Sequence, residues 1–339
     1  MSNKTAPLLE VNNLKTSFFT HAGEVQAVRG VTFKLYKGEI LGIVGESGSG
    51  KSQTCMSIMK LLQPPGKITD GEVLFQGENL ALLSEKEMQS VRGDKISMVF
   101  QDPMTALNPV YTVGNQIIEV IRAHRKADKA EATKLAGEML EAVGIPSPIT
   151  RLKNYPHEFS GGMRQRAMIA MALSCSPELL IADEPTTALD VTIQAQVLDL
   201  MKDLQDKFGT AIILVTHDLG VIAESCQRVL VMYGGMIMEQ ASVEDLFYRP
   251  KNPYTLGLLK SVPNPKRLAK EPLIPIDGTP PDLLNPPKGC PFAPRCEYTM
   301  GVCMRDVPPL YKAGEQHYSR CWLLDKSAPF IQEIGKAVE

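Results

Sequence analysis

Apolar residues recur along the chain with two periods. Residues 8–18 and 26–36 alternate apolar and polar side chains around a turn at Ala22–Gly23, which predicts two antiparallel strands. Residues 40–44 form an unbroken apolar run, expected of a strand buried on both faces. That run enters a glycine-rich loop and then a helix starting near Ser52. Further strands are predicted over 72–75, 95–100, 179–182, 211–215 and 228–232. Ile193, Val197, Leu200, Leu204 and Phe208 follow the helical period, and Gly209 is placed to stop that helix. Alternating strands and helices predict an α/β fold with a mostly parallel sheet covered on both faces. The first strands form an antiparallel β subdomain beside it. Residues from about 103 to 176 read as helix and loop, a helical subdomain inserted into the sheet. No internal repeat interrupts this order.

Proline changes the picture near residue 250. Ten of the 25 prolines precede it and fifteen follow from Pro250 onward. Each proline fixes φ and removes a backbone donor, so long helices and central strands are disfavoured there. The expected division is a main domain over 1–250 and a Pro- and Cys-rich extension over 251–339.

The chain has 339 residues, 44% apolar and 22% charged, an ordinary globular composition. Its formal net charge of -2 gives no field that would favour nucleic acid or an acidic membrane surface. No apolar stretch approaches the roughly 18 residues that suggest a membrane span. Residues 1–7 lack the apolar core of a secretory signal, so a cytoplasmic location is expected.

Three segments carry chemistry. Gly45-Glu46-Ser47-Gly48-Ser49-Gly50-Lys51-Ser52 matches G-x-x-x-x-G-K-[ST] between a strand and a helix. Glycines let such a loop wrap phosphate closely, its N–H groups face the anion, and the lysine reaches the β- and γ-phosphates. The Ser52 hydroxyl offers Mg²⁺ a hard oxygen ligand. Residues 179–185 form an apolar strand ending in Asp183 and Glu184. Asp183 suits Mg²⁺ and Glu184 suits a general base acting on water. An acidic pair after a strand is more often a solvated loop, and the phosphate loop reverses that balance. His217, at the tip of the strand 211–215, suits a contact with the γ-phosphate, and Gln101, after the strand 95–100, suits Mg²⁺ or the attacking water. Alone, each would read as a surface residue.

Phe159-Ser160-Gly161-Gly162-Met163-Arg164-Gln165-Arg166 resembles the LSGGQ signature of ABC ATPases, with Phe159 for Leu and Met163 for Gln. Ser160 is placed to cap a helix running to about Cys175. The order of phosphate loop, Gln101, Ser160-Gly161-Gly162, Asp183-Glu184, Ala188-Leu189-Asp190 and His217 is similar to that family over residues 8–250. The resemblance implies a P-loop NTPase (RecA-like) ABC cassette and two cassettes closing over ATP. Ser160, Gly161, Gly162, Met163 and Asp190 would then meet the partner's nucleotide, and Phe18 would stack on adenine, although Phe19 lies beside it. Residues 98–109 and 155–166, then Asn252-Pro253-Tyr254-Thr255 and residues 289–296, resemble the oligopeptide and dipeptide importer branch, which also contains nickel and glutathione importers. It implies a second ATPase subunit, identical or similar, two integral membrane permease subunits and an extracytoplasmic peptide-binding protein. It also implies a peripheral position on the cytoplasmic face of the membrane and no nucleic-acid partner.

The seven cysteines divide unevenly. Cys290, Cys296, Cys303 and Cys321 share one short stretch with intervals of five, six and seventeen residues. Tight C-x-x-C pairs are absent, so a standard zinc finger fits poorly. Four thiolates suit a [4Fe–4S] cluster, which the family resemblance also implies. Zinc and unligated thiols stay open as alternatives.

Overall fold

The computed structural model describes residues 6–101, 106–186, 191–261 and 275–334. The strands, in chain order, are β1 (Leu9–Thr20), β2 (Gly23–Leu35), β3 (Ile40–Val44), β4 (Gly66–Phe75), β5 (Glu78–Asn79), β6 (Ile96–Val99), β7 (Leu179–Asp183), β8 (Ala211–Val215), β9 (Arg228–Tyr233), β10 (Met236–Ser242), β11 (Tyr311–Lys312) and β12 (Tyr318–Ser319). The helices are α1 (Lys51–Ile58), α2 (Glu85–Val91), α3 (Val113–His124), α4 (Lys129–Ala142), α5 (Pro148–Arg151), α6 (Gly161–Leu173), α7 (Val191–Phe208), α8 (Leu219–Ser225), α9 (Val243–Tyr248), α10 (Pro253–Lys260) and α11 (Gly301–Arg305).

The chain divides into two compact units that interleave along the sequence. The first comprises Met1–Leu8, Leu35–Ile40 and Leu82–Val215. Its strands β6, β7 and β8 are parallel, with Ile96 opposite Leu179 and Leu179 opposite Ala211. Every residue of β7 and β8 is buried, so both faces demand apolar side chains. The region predicted as helical carries α3, α4, α5 and α6 and no strand among its described residues. Val113, Ile117 and Ile121 of α3 and Ala132, Ala136 and Leu140 of α4 are fully buried, each set recurring every fourth residue along one helix face. Thr112 and Asp128 cap these helices through their side chains.

The second unit comprises Leu9–Lys34, Leu41–Ala81 and Thr216–Glu339. It contains an antiparallel sheet in the order β2-β1-β4-β5. In the same unit β3 pairs in parallel with β9, and β9, β10, β12 and β11 continue antiparallel. The β9–β10 hairpin, turning on Gly234 and Gly235 with positive φ, lies beyond what the apolar run at 228–232 predicts. Strand β12, from the proline-rich extension, pairs along β10. A buried cluster joins Val44, Tyr233 and Met238 to Tyr254 and Phe292 of the extension. No described helix is long and apolar enough to cross a membrane.

Candidate nucleotide site

Strand β3 is buried along its whole length and delivers the chain into the loop 45–52. Gly45, Gly48 and Gly50 have φ of 150°, 76° and 99°. A Cβ on Gly45 would stand 2.1 Å from the Met232 carbonyl oxygen, and one on Gly50 would stand 2.5 Å from that of Ala27. A Cβ on Gly48 would meet nothing within 4 Å, so its backbone conformation alone asks for glycine. Helix α1 starts after Gly50 with no side chain capping it, and a helix N-terminus favours an anion. The buried Ser49 hydroxyl has no protein partner. Lys51 is 6% exposed, and its Nζ donates to the carbonyls of Gly45 (2.8 Å) and Glu46 (3.1 Å). A glycine-rich loop, a buried cation and an unpaired hydroxyl together suit a phosphate group.

Glu46 is held at two groups. Its backbone N–H donates to Tyr254 Oη at 2.9 Å, and its carboxylate is gripped by Arg295. Both groups tie the loop to residues 254 and 295. Burial pushes the Tyr254 phenol well above its usual pKa. The hydrogen bond from Arg295 to Glu46 raises the guanidinium further.

In the same unit, Phe18 is half-buried on β1 opposite Gly66, where a Cβ would come within 2.6 Å of its ring. Phe19 is 47% exposed, with Lys67 Nζ 5.9 Å from its ring centre. His217 is exposed just past β8. Asp218 beside it caps α8 by accepting from the N–H groups of Gly220 and Val221.

In the first unit, Asp183 ends β7 and is 4% exposed. Glu184 has a φ of 48°, unusual for a residue with a Cβ, and its N–H donates to Val215 O at 2.9 Å. Gln101 Nε2 donates to Glu184 Oε2 at 2.9 Å, so two predicted site residues 83 positions apart meet. Such left-handed backbone at a non-glycine residue is characteristic of functional positions. Ser160 caps α6, its Oγ accepting from Met163 N–H at 3.3 Å. Gly161 faces open space, while a Cβ on Gly162 would come within 2.9 Å of Ile193. Asp190, with Ala188 and Leu189, and residues 102–105 of the glutamine segment lie outside the described residues.

Cys290, Cys296, Cys303 and Cys321 line one small cavity with Thr299, Phe292 and Trp322. Cys290 N–H donates to Cys303 O at 2.8 Å. Burial pushes the Cys290 thiol up to about 11 and raises Cys296 and Cys321 as well, and the other three sulfurs raise Cys321 further. All four thiols are free. Among the described residues, no three His, Cys, Asp or Glu side chains stand at metal-holding spacing. The four thiols line one cavity and are the donor type that a four-thiolate group takes.

Sequence reasoning missed Arg295, Tyr254 and Tyr233 behind the phosphate loop. It also missed the buried Glu239–His317 pair, at 2.6 Å, which ties β12 to β10. Residues 252–255 and 289–296 stood out only as segments, because partners about 200 residues apart leave no mark in one sequence.

Residues 28–187 match the family described as ABC transporter, and residues 238–303 match the oligopeptide/dipeptide transporter C-terminal region. The chain is 58% identical over 326 residues to the oligopeptide transport ATP-binding protein OppD of Bacillus subtilis, covering 96% of this chain and 91% of that protein. It is 57% identical over 331 residues to the dipeptide transport ATP-binding protein DppD of the same organism, covering 97% and 98%. Among solved structures, a dimeric post-hydrolysis state of the ATP-binding cassette MJ0796 bound to ADP and Pi matches with a TM-score of 0.63 and 29% identity, over 69% of this chain and 98% of that one. The phosphate cradle, the capped Ser160-Gly161-Gly162 helix and these matches make one case, and the chain belongs to the ABC transporter family, among its oligopeptide and dipeptide transport ATP-binding proteins.

Proposed function

We propose that this chain is the ATP-hydrolysing subunit that energises import of oligopeptides or dipeptides, with a nucleotide-binding cassette over 1–250 and a C-terminal region over 251–339. The observation that carries this reading is the loop 45–52, whose glycines stand where any side chain would strike backbone or strain φ. In this role Lys51 neutralises the β- and γ-phosphates, and Ser52, Asp183 and Gln101 are the residues to hold Mg²⁺. When bound, Mg²⁺ supplies charge neutralisation at the phosphate oxygens. Glu184 takes a proton from water as its oxygen bonds to the γ-phosphorus and the bond to the bridging oxygen breaks. Gln101 orients that carboxylate through the bond already formed in the free chain. His217 steadies the γ-phosphate, and Phe18 stacks on adenine. Ser160, Gly161, Gly162, Met163 and Asp190 act on the nucleotide of a second cassette.

The assembly consists of that second cassette, two permease subunits and an extracytoplasmic peptide-binding protein, with this chain peripheral on the cytoplasmic face. Cys290, Cys296, Cys303 and Cys321 are the residues to hold a [4Fe–4S] cluster, which would staple a segment poor in regular structure. Reconstitution with the permeases in proteoliposomes tests the function: ATP-dependent uptake of labelled peptide, not competed by nickel or glutathione, is expected. A native complex that carries ribosomes or DNA and no integral membrane subunit refutes it. Iron and sulfide assays on anaerobically purified protein test the cluster, and a colourless, metal-free, stable protein removes it.

A further inference from the structure

The phosphate loop is held from behind by the C-terminal extension, and one arginine makes most of the connection. Arg295 is 4% exposed in its side chain, and all five of its guanidinium N–H donors are committed. Nη1 and Nη2 fork onto the Glu46 carboxylate at 2.5 and 3.0 Å. Nη1 also donates to Tyr233 Oη at 3.0 Å, Nη2 to Ile276 O at 2.9 Å and Nε to Asp277 O at 2.7 Å. The cation stands over the rings of Tyr233 and Phe292, 5.7 and 6.0 Å from their centres. Tyr254, at the start of α10, takes the Glu46 N–H. The second residue of the loop is thus fixed at both amide and carboxylate, while Lys51 takes its carbonyl. Arg295 directly precedes Cys296, one of four thiols around a single cavity, and Phe292 lines that cavity too.

We propose that Arg295 is a positioning residue for ATP binding, a clasp through which the four-cysteine segment and the phosphate loop set each other's order. It rests on the reading of residues 45–52 as the nucleotide loop. A forked charge-assisted pair has a narrow geometry, so a shift of the 290–296 backbone moves Glu46, and with it the amides that follow in the loop. Coupling between sites is reciprocal: if the clasp favours nucleotide, nucleotide favours the clasp by the same factor.

The experiment uses the purified full chain with its resident groups, and compares wild type, Arg295→Met, Glu46→Gln and the double variant. Mg–ATP affinity is measured by titration, and amide hydrogen exchange over 276–278 and 290–303 is followed with and without Mg–ATP. Expected are a loss of affinity of about tenfold in Arg295→Met, within the usual span of coupling factors, and no greater loss in the double variant. Mg–ATP should slow exchange over 290–296 in wild type and lose that effect in either single variant. A segment that merely folds less well would still respond to nucleotide. Should Arg295→Met not fold, Glu46→Gln, which keeps the side chain's shape, gives the same reading. Additive losses in the double variant would show Glu46 touching nucleotide directly and overturn the clasp. Wild-type affinity with undiminished nucleotide protection in a folded single variant would also overturn it. Failure of wild type itself to bind Mg–ATP would instead remove the reading on which the clasp rests.

Discussion

Replacing His317 by leucine strands a carboxylate where water does not reach. Glu239 is 0% exposed and His317 is 2% exposed in their side chains, and Nε2 lies 2.6 Å from Glu239 Oε1. That oxygen also accepts from Lys251 N–H at 2.6 Å, while Oε2 is buried with no protein partner. His317→Leu removes one of the two donors and leaves the volume filled, so packing loss is small. Breaking one half of a buried pair in this way costs about 3–5 kcal/mol. Replacing both residues by leucine removes the stranded charge, and the remaining cost is the unpaired Lys251 N–H, about 1–3 kcal/mol. The double variant is therefore expected to be more stable than His317→Leu, an order that lost packing cannot produce. The only tryptophan of the chain is Trp322, five residues from His317, so its fluorescence in a urea titration reports this region directly. A cost below about 1 kcal/mol for the single change, or a double variant less stable than the single, refutes the reasoning.

The other predictions concern the nucleotide site. Glu184→Gln keeps an acceptor for Gln101 but removes the base, so phosphate release in the reconstituted complex should fall by about 10²–10⁴-fold while Mg–ATP still binds. Wild-type turnover would take Glu184 out of that role. Lys51→Ala should weaken ATP binding and also free the carbonyls of Gly45 and Glu46, which titration with a fluorescent nucleotide checks. Gly45→Ala puts a methyl group 2.1 Å from the Met232 carbonyl oxygen, and a melt should record destabilisation of about 2 kcal/mol or more.

The parts of the fold that read cleanly were those with one dominant local cause. The apolar runs 40–44 and 211–215 coincide with β3 and β8 because strands buried on both faces tolerate no polar residue. Helix α7 ends at Phe208 and Gly209 follows with a φ of 66°, as the period and the glycine indicated. The phosphate loop was legible because its spacing is set by one chemical task. The opposite holds for the extension. Proline density disfavoured long helices and central strands there but could not show that the two-residue β12 pairs with β10, a short pairing fixed by His317 and Asn252 reaching across tens of residues. The partners of Glu46 were hidden for a similar reason. Its place inside the motif says nothing of Arg295, 249 positions away, which only the fold brings to its carboxylate.

The fork between positions 46 and 295 also limits how this chain can be recombined. A minimal cassette cut after residue 250, or a hybrid carrying another protein's tail, would keep a glutamate at the root of its nucleotide loop and discard its counter-charge. Grafts between relatives should therefore exchange both positions as one inherited unit, since the border that looks convenient on a linear map runs through a single interaction.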